Sequence, residues 1–329
     1  MIEASEKRSI AVVIPCYQVR AHIKEVLEAI PTYVDGIFCV DDACPDKSGD
    51  FIEEISLDRR VTVLRHDHNK GVGGAMMTGF GAASIAGFDI AVKVDGDGQM
   101  DPELIHKFVA PIISGDADYT KGNRFWDSRS LAEMPKVRLF GNAVLGFMSK
   151  FSSGYWRVMD PTNGFLAIHL SVFDLLDTSK IAPNYFFESD MLFRLNLVRA
   201  VVQDIPMQAK YGNEVSNLKI HKILFPFLFG HGKNAFKRFV YSYFLRDFSL
   251  ASLEFLLGPL LIVFGASFGA WHWYLSVVNG HPATSGQVML AALPMIVGLQ
   301  LILSALNFDI TNEPKFPIHR LMKSDWYQK

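Results

Sequence analysis

Ile90-Ala-Val-Lys-Val-Asp-Gly-Asp-Gly-Gln99 decides how the chain is read. An apolar run of strand length ends on two carboxylates, Asp95 and Asp97, one residue apart. Such a pair at a strand end can chelate a divalent cation through hard oxygen ligands. Upstream, Ile10–Ile14, Ile37–Val40 and Val61–Leu64 are similar short apolar runs, and the stretches Ala21–Ile30 and Gly74–Ala86 read as helices between them. Alternation of this kind predicts an α/β fold, a parallel sheet covered by helices, with ligands at the carboxyl ends of the strands. Pro15 and Tyr17, Asp41 and Asp42, Asn69 and Lys70, then Asp95 and Asp97 fall at those ends. Four polar strand ends on one edge outline a site.

Competing motifs fail on spacing. An EF-hand counted from Asp95 needs Gly at its sixth position and Glu at its twelfth, where the chain has Met100 and His106. A dinucleotide fingerprint counted from Gly71 ends on Met76, and no Gly-Lys-Ser or Gly-Lys-Thr makes a P-loop there. Asn69-Lys-Gly-Val-Gly-Gly-Ala75 is left as a basic, glycine-bearing loop opening a helix, suited to close approach of backbone to a nucleotide. Gly79, Gly81 and Ala82 read as small residues for tight helix–sheet packing. Asp41-Asp42 precedes a turn, where a carboxylate either accepts hydrogen bonds from a base or ribose or caps a helix.

Half of the 329 residues are hydrophobic, and the excess lies in the C-terminal third. Between Phe248 and Thr311 the only acidic or basic residues are Glu254 and Asp309. The runs Leu250 to Val278 and Val288 to Leu306 can each cross roughly 30 Å of hydrocarbon at about 1.5 Å per residue. The turn Asn279 to Gln287 between them carries no Lys or Arg. Lys233, Lys237, Arg238 and Arg246 precede the first run, and Lys315, Arg320 and Lys323 follow the second. This bias predicts an integral membrane protein with both termini cytoplasmic. Val137, Phe140, Val144, Phe147 and Phe151 repeat at helical spacing, giving a helix that packs on the sheet or lies on the membrane interface. A second such region, Leu218 to Phe248, leads into the first span, with Pro226 expected to break it.

A net charge of -2 argues against a nucleic-acid partner. Met1 to Arg8 is polar and shows no signal peptide. Cys16, Cys39 and Cys44 are odd in number and lack paired zinc spacing, so reduced thiols are expected.

Val12-Val-Ile-Pro15-Cys-Tyr17, Val40-Asp-Asp-Ala, Asn69-Lys-Gly and Val94-Asp-Gly-Asp-Gly-Gln99 come in an order that resembles family 2 glycosyltransferases of the GT-A fold. Within that family the chain looks most like the polyprenyl-phosphate branch, which includes dolichyl-phosphate mannose synthases and bacterial undecaprenyl-phosphate sugar transferases. Gly122-Asn-Arg124, Asp160-Pro-Thr-Asn-Gly164-Phe165 and Phe187-Glu188-Ser-Asp190-Met-Leu extend the likeness to about Arg194. Cys16, Gln18 and Ala43-Cys44 depart from the common pattern.

The resemblance implies a catalytic GT-A domain over 1–215, interfacial helices over 216–248, a transmembrane hairpin over 249–307 and a cytoplasmic tail over 308–329. Pro15, Tyr17, Asp42, Asn69 and Lys70 are then expected to bind the nucleotide. Asp95 and Asp97 are expected to take Mg2+ or Mn2+ and the diphosphate, with Gln99 close by. Arg124 is expected to face the acceptor phosphate or the donor. Lys136, Arg138, Lys233, Lys237 and Arg238 are acceptor-phosphate or lipid-surface cations. Glu188 and Asp190 act as a base or orient the sugar, or pair structurally with Arg194 at helical spacing.

The reaction so implied is inverting transfer from a UDP- or GDP-linked sugar to undecaprenyl or dolichyl phosphate, at the cytoplasmic face of a bacterial or archaeal plasma membrane. Self-association is left open. Other readings are a membrane transferase acting on a glycan or another lipid, a processive polysaccharide synthase, and a non-catalytic membrane scaffold. The synthase would carry Gln-x-x-Arg-Trp, whereas Trp156-Arg157 has the wrong order. A scaffold is expected to have lost the metal carboxylates.

Overall fold

The computed structural model describes residues 8–126, 136–208 and 220–322, with the side chains of 136–140 and 220–224 outside the description. Two compact units emerge. One comprises Met1–Ala235 with Pro314–Lys329, the other Phe236–Glu313.

The first unit is built on a seven-stranded sheet of order β3-β2-β1-β4-β6-β5-β7. Its strands are β1 (Ile10–Cys16), β2 (Gly36–Asp41), β3 (Val61–Arg65), β4 (Ile90–Lys93), β5 (Tyr119–Asn123), β6 (Leu166–His169) and β7 (Val202–Pro206). β1, β2, β3 and β4 pair in parallel, as do β5 and β7, while β6 runs antiparallel between β4 and β5. The sequence reading placed the first four strands and none of the last three.

Both faces of the sheet are covered, so β1 is apolar throughout instead of alternating. Val12, Ile14, Ile37 and Val92 pack under helices α1 (Ile23–Ala29), α2 (Ser48–Ile55) and α4 (Ile105–Ile113). Val13, Val40, Ala91 and Leu166 pack under α3 (Gly71–Ile85), α6 (Leu170–Phe173) and α7 (Phe187–Leu197). Helix α3 approaches β1 so closely that a Cβ on Gly79 would stand 2.2 Å from Val13. Gly81 faces open space and plays no such part.

Helix α5 (Lys136–Ser153) of this unit, and α8 (Ile220–Val240), which belongs to it as far as Ala235, are amphipathic in reverse. Helix α5 buries Ser149, Ser152 and Ser153 while Val144 and Phe147 are exposed. Helix α8 buries His231 and Asn234 while Phe225, Leu228 and Phe229 are exposed. The polar faces meet the rest of the unit. His231 Nδ1 lies 2.7 Å from Ser152 Oγ, and Asn234 Nδ2 donates to Asp190 at 2.9 Å. Pro226 does not break the region as the sequence reading expected. Helix α8 runs through it. These downstream contacts fix its next turns and offset the lost hydrogen bond.

The second unit holds two long helices, α9 (Leu250–Asn279) and α10 (Ser285–Thr311), each long and apolar enough to cross a membrane. Glycines let their backbones meet: a Cβ on Gly298 would stand 2.6 Å from the Gly258 carbonyl oxygen, and one on Gly265 2.5 Å from that of Ala291. Ser304 Oγ donates to Glu254 at 2.8 Å, giving that carboxylate a partner. Arg238 pairs with Asp309 through both terminal nitrogens, at 2.6 and 3.0 Å, and Tyr243 donates to the same carboxylate. The chain then returns to the first unit, where α11 (Ile318–Met322) is held by Asp118, whose buried carboxylate accepts the N–H groups of Val201, Ile318 and His319.

Burial pushes both His231 and His169 down to about 4; for His169 the neighbouring His319 adds to the effect. Their folded-state values lie below the unfolded one, so the unfolded chain takes up protons that the folded chain refuses. Stability contributed by each is therefore present above about pH 6.5 and lost as pH falls toward 4. At pH 5 the loss is at most about 2 kcal/mol per histidine. Melting temperatures of the wild type and the His169→Asn/His231→Asn variant should diverge in slope between pH 7 and 5, the variant being flatter. Parallel slopes would contradict this.

Candidate active site

A cavity of about 630 Å³ opens at the carboxyl ends of β1, β2 and β4, lined by residues of the first unit alone. Of the residues named from sequence, Pro15, Tyr17, Asp42, Asn69, Asp95, Asp97, Gln99, Arg124 and Glu188 line it together. Strand ends bring the first group together. Arg124 follows β5, and Glu188 comes from the first turn of α7.

The two adjacent acids after β2 divide their labour. Asp41 accepts from the amides of Cys44 at 2.8 Å and Gly49 at 2.8 Å, so it closes the turn and caps α2. Asp42 faces the cavity. Gln18 and Cys44, two departures from the family pattern, turn out to be partners: the Gln18 N–H donates to Cys44 Sγ at 2.9 Å. All three cysteines are buried free thiols.

Asn69 lines the cavity, but Lys70 does not. The Lys70 N–H goes to Asp42, that of Gly71 to Asn69, and those of Gly73 and Gly74 to the Pro183 carbonyl. Four amides at the start of α3 are thereby held within the unit, while Gly71 and Val72 line the cavity, so backbone does approach it there.

Beneath Asp95 lies a feature the sequence reading missed. Lys93 Nζ donates to Asp95 Oδ1 at 2.5 Å from an almost fully buried position, and also lies over the Phe187 ring. Lys121, fully buried on β5, donates to the Asn163 carbonyl at 2.5 Å. Both lysines stand in register with Leu166 of β6, one on each side. Burial pushes Lys121 down to about 8, opposed by the charges of Glu188 and Asp160. Burial likewise pushes Glu188 up to about 7, and Lys93 and Lys121 pull it back. A carboxyl so poised can donate or accept a hydrogen bond near neutral pH.

Arg124 donates to the fully buried Asp160 through Nε at 2.7 Å and Nη2 at 2.9 Å, which fixes its plane at the cavity wall. Asn163 adds an Nδ2–H to the same carboxylate at 3.2 Å. Asp190 belongs elsewhere. Its oxygens accept from Asn234, the Ala182 amide and Arg194, so the pairing with Arg194 is present and Asp190 does not line the cavity. Arg238 is likewise no acceptor cation, since Asp309 holds it in a buried pair. Lys233 and Lys237 are exposed. The side chains of Lys136 and Arg138 lie outside the described residues.

For a divalent cation the donor set fits. With Oδ1 of Asp95 on Lys93, its Oδ2 stands 2.9 Å from where a Cβ on Gly164 would be, at the cavity surface. Asp97 lies two residues on, with Oδ1 accepting from the Gln99 amide at 3.0 Å. Among the described residues no third His, Cys, Asp or Glu joins a cluster. One or two carboxylates with the rest left to phosphate and water is the pattern suited to Mg2+ and similar hard ions.

Comparison with known proteins bears on the family and the fold. The model of glycosyl transferase family 2 matches residues 11–176. A UDP-N-acetylglucosamine–dolichyl-phosphate N-acetylglucosaminyltransferase from Methanococcus voltae is 30% identical over 216 residues, covering 61% of this chain and 86% of the relative. A polyprenol monophosphomannose synthase from Mycolicibacterium smegmatis is 28% identical, over 56% of this chain and 70% of the relative. Among solved structures, glucosyl-3-phosphoglycerate synthase from Mycobacterium tuberculosis, crystallised with Mn2+, uridine diphosphate and phosphoglyceric acid, superposes with a TM-score of 0.52 at 17% identity, over 70% of this chain and 78% of that one. At that identity the likeness bears on the fold, which is GT-A.

Gly164 is where the site tolerates least. An added Cβ would meet Lys93 Nζ at 2.6 Å and Asp95 Oδ2 at 2.9 Å. Gly164→Ala should keep the fold at a loss of about 1–3 kcal/mol and weaken Mn2+ binding, measured by calorimetry with a nucleoside diphosphate present, by about tenfold or more. Wild-type affinity in that variant would mean that the Lys93–Asp95 geometry does not govern the site.

Proposed function

The chain belongs to glycosyl transferase family 2, and from that membership we propose that it transfers a sugar from a nucleoside-diphosphate sugar to a polyprenyl phosphate at a membrane surface, with inversion at the anomeric carbon. One observation carries the reading. The unit that holds the acid-lined cavity also carries α5 and α8, whose apolar faces point outward and whose polar faces point in. A soluble enzyme has no use for that inversion, whereas a lipid surface rewards it. The relatives from Methanococcus voltae and Mycolicibacterium smegmatis, a dolichyl-phosphate N-acetylglucosaminyltransferase and a polyprenol monophosphomannose synthase, support the same acceptor class.

Asp42 would take part in holding the nucleoside, with Pro15, Tyr17 and Asn69 beside it. Asp95 and Asp97 would hold Mg2+ or Mn2+, which when bound neutralises charge on the leaving diphosphate. Lys93 keeps Asp95 in one orientation, so the ligand geometry exists before substrate arrives. Gln99 sits at the rim of the same turn.

The acceptor phosphate has a second pKa of about 6 by analogy with phosphorylated side chains, so it attacks without a strong base. What it needs is placement. Arg124, its plane fixed by Asp160, would supply a cation at the cavity wall, and Glu188, which lines the same cavity, would hydrogen-bond the sugar. Lys233 and Lys237 would meet lipid headgroups. The pair α9 and α10 would cross the membrane, with both termini and the catalytic unit on the cytoplasmic side. The donor's nucleotide is UDP or GDP.

The test is direct. Purified full-length protein in lipid nanodiscs, given undecaprenyl phosphate, Mn2+ and labelled UDP- or GDP-sugars in turn, should form a lipid-linked labelled product from at least one donor. Asp97→Asn should reduce that rate by about a hundredfold or more with an unchanged melting temperature. Failure of every donor, or near-normal turnover by the variant, would overturn the assignment.

A further inference from the structure

Asp42 reaches the cavity with one oxygen already engaged. Its Oδ1 accepts the Lys70 N–H at 2.7 Å and lies 2.6 Å from His66 Nδ1. The other ring nitrogen, Nε2, lies 2.8 Å from Thr78 Oγ1 on α3. A carboxylate only accepts, so the hydrogen between His66 and Asp42 sits on Nδ1. The His66 N–H also bonds the Asp41 carbonyl at 2.9 Å, which carries the β2–β3 ladder one residue further and sets the two side chains side by side. Both are nearly sealed from solvent, at 3% and 4% side-chain exposure, where a misplaced polar group is costly. Among the described residues Oδ2 of Asp42 has no hydrogen-bond partner. It is the oxygen left for a ligand.

We infer that His66 is a positioning residue for nucleotide recognition, locking Asp42 through Oδ1 so that Oδ2 is presented to the donor's nucleoside in a fixed direction. The inference rests on the proposed role of Asp42 and adds the residue that makes it work. Thr78 holds the far side of the ring, so the clamp runs from α3 through His66 to the acid. Without it, Asp42 keeps only the Lys70 amide and can turn about its side-chain bonds. Nucleotide affinity then falls while chemistry on bound substrate is unaffected.

The geometry separates this role from a merely structural one. Asn places its amide nitrogen at the same bond distance from Cβ as His Nδ1, and can donate to Asp42. Gln extends one bond further, toward Thr78, and cannot serve both. Calorimetry of the full chain with UDP and with GDP, each with Mn2+, should show His66→Ala and His66→Gln weakened about tenfold or more, the scale on which partners that orient a ligand-binding group act. His66→Asn should recover most of that loss. In turnover, His66→Ala should raise the donor KM and leave kcat within about twofold, since the interaction is made equally in ground and transition states. Thermal melting of each variant reports folding. Equal weakening by all three substitutions, or affinity in His66→Ala within twofold of wild type while Asp42→Ala is weakened, would overturn the role of His66 alone. Absence of UDP and GDP binding by the wild type would overturn the reading of Asp42 and the inference with it.

Discussion

Charge buried beneath the cavity constrains everything around it. Lys93 and Lys121 project from β4 and β5 on either side of Leu166, with their amines inside the sheet's packed face. An unpaired ammonium there would cost several kcal/mol, so partners must be brought to it. Asp95, Glu188 and the Asn163 carbonyl answer that need. The answer in turn fixes where α7 starts, why residue 164 has no side chain, and which way Asp95 points. Arg124 with Asp160, and Asp42 with His66, follow the same rule. Asp42, Lys93, Asp95 and Arg124 each have a built partner, so this much of the site is organised before any ligand enters it.

Much of this was legible in the sequence, and the limits have physical causes. Ile10–Cys16 and Ile90–Lys93 announce themselves because both faces of a central parallel strand are buried. The acids at their ends mark the ligand edge for the same topological reason. Tyr119–Asn123 gave no strand signal, since Thr, Lys and Asn occupy a strand whose burial is offset by tertiary pairing. Lys93 was hidden by its apolar neighbours, and its role shows only when β6 brings Gly164 against it. Asp160 is distant in sequence from Arg124, and no spacing rule links them. Asp41 and Asp42 were indistinguishable as letters, because the pleat alone decides which turns to the helix and which to the cavity.

The reverse amphipathicity of α5 and α8 joins the site to its surroundings. Serine, histidine and asparagine face inward, where they find one another and the start of α7, and phenylalanine and leucine face outward. Helical periodicity alone located these segments but could not tell which stripe was buried. Asn234 holds Asp190, two residues from Glu188 on the same helix, so the helix with the outward apolar face also braces the helix that lines the cavity. An acceptor with an apolar tail and a phosphate head matches that arrangement better than a free sugar or a soluble phosphate.

The linkage in the product tests the central claim most directly. Transfer of the sugar by attack of a polyprenyl phosphate oxygen leaves one phosphorus in the lipid and reverses the anomeric configuration of the donor. Mass spectrometry and phosphorus NMR of the extracted lipid from an α-linked donor should therefore show a β-linked polyprenyl monophosphate sugar, with the intact nucleoside diphosphate released. A lipid diphosphate sugar with nucleoside monophosphate, or a retained α-linkage, would contradict the account.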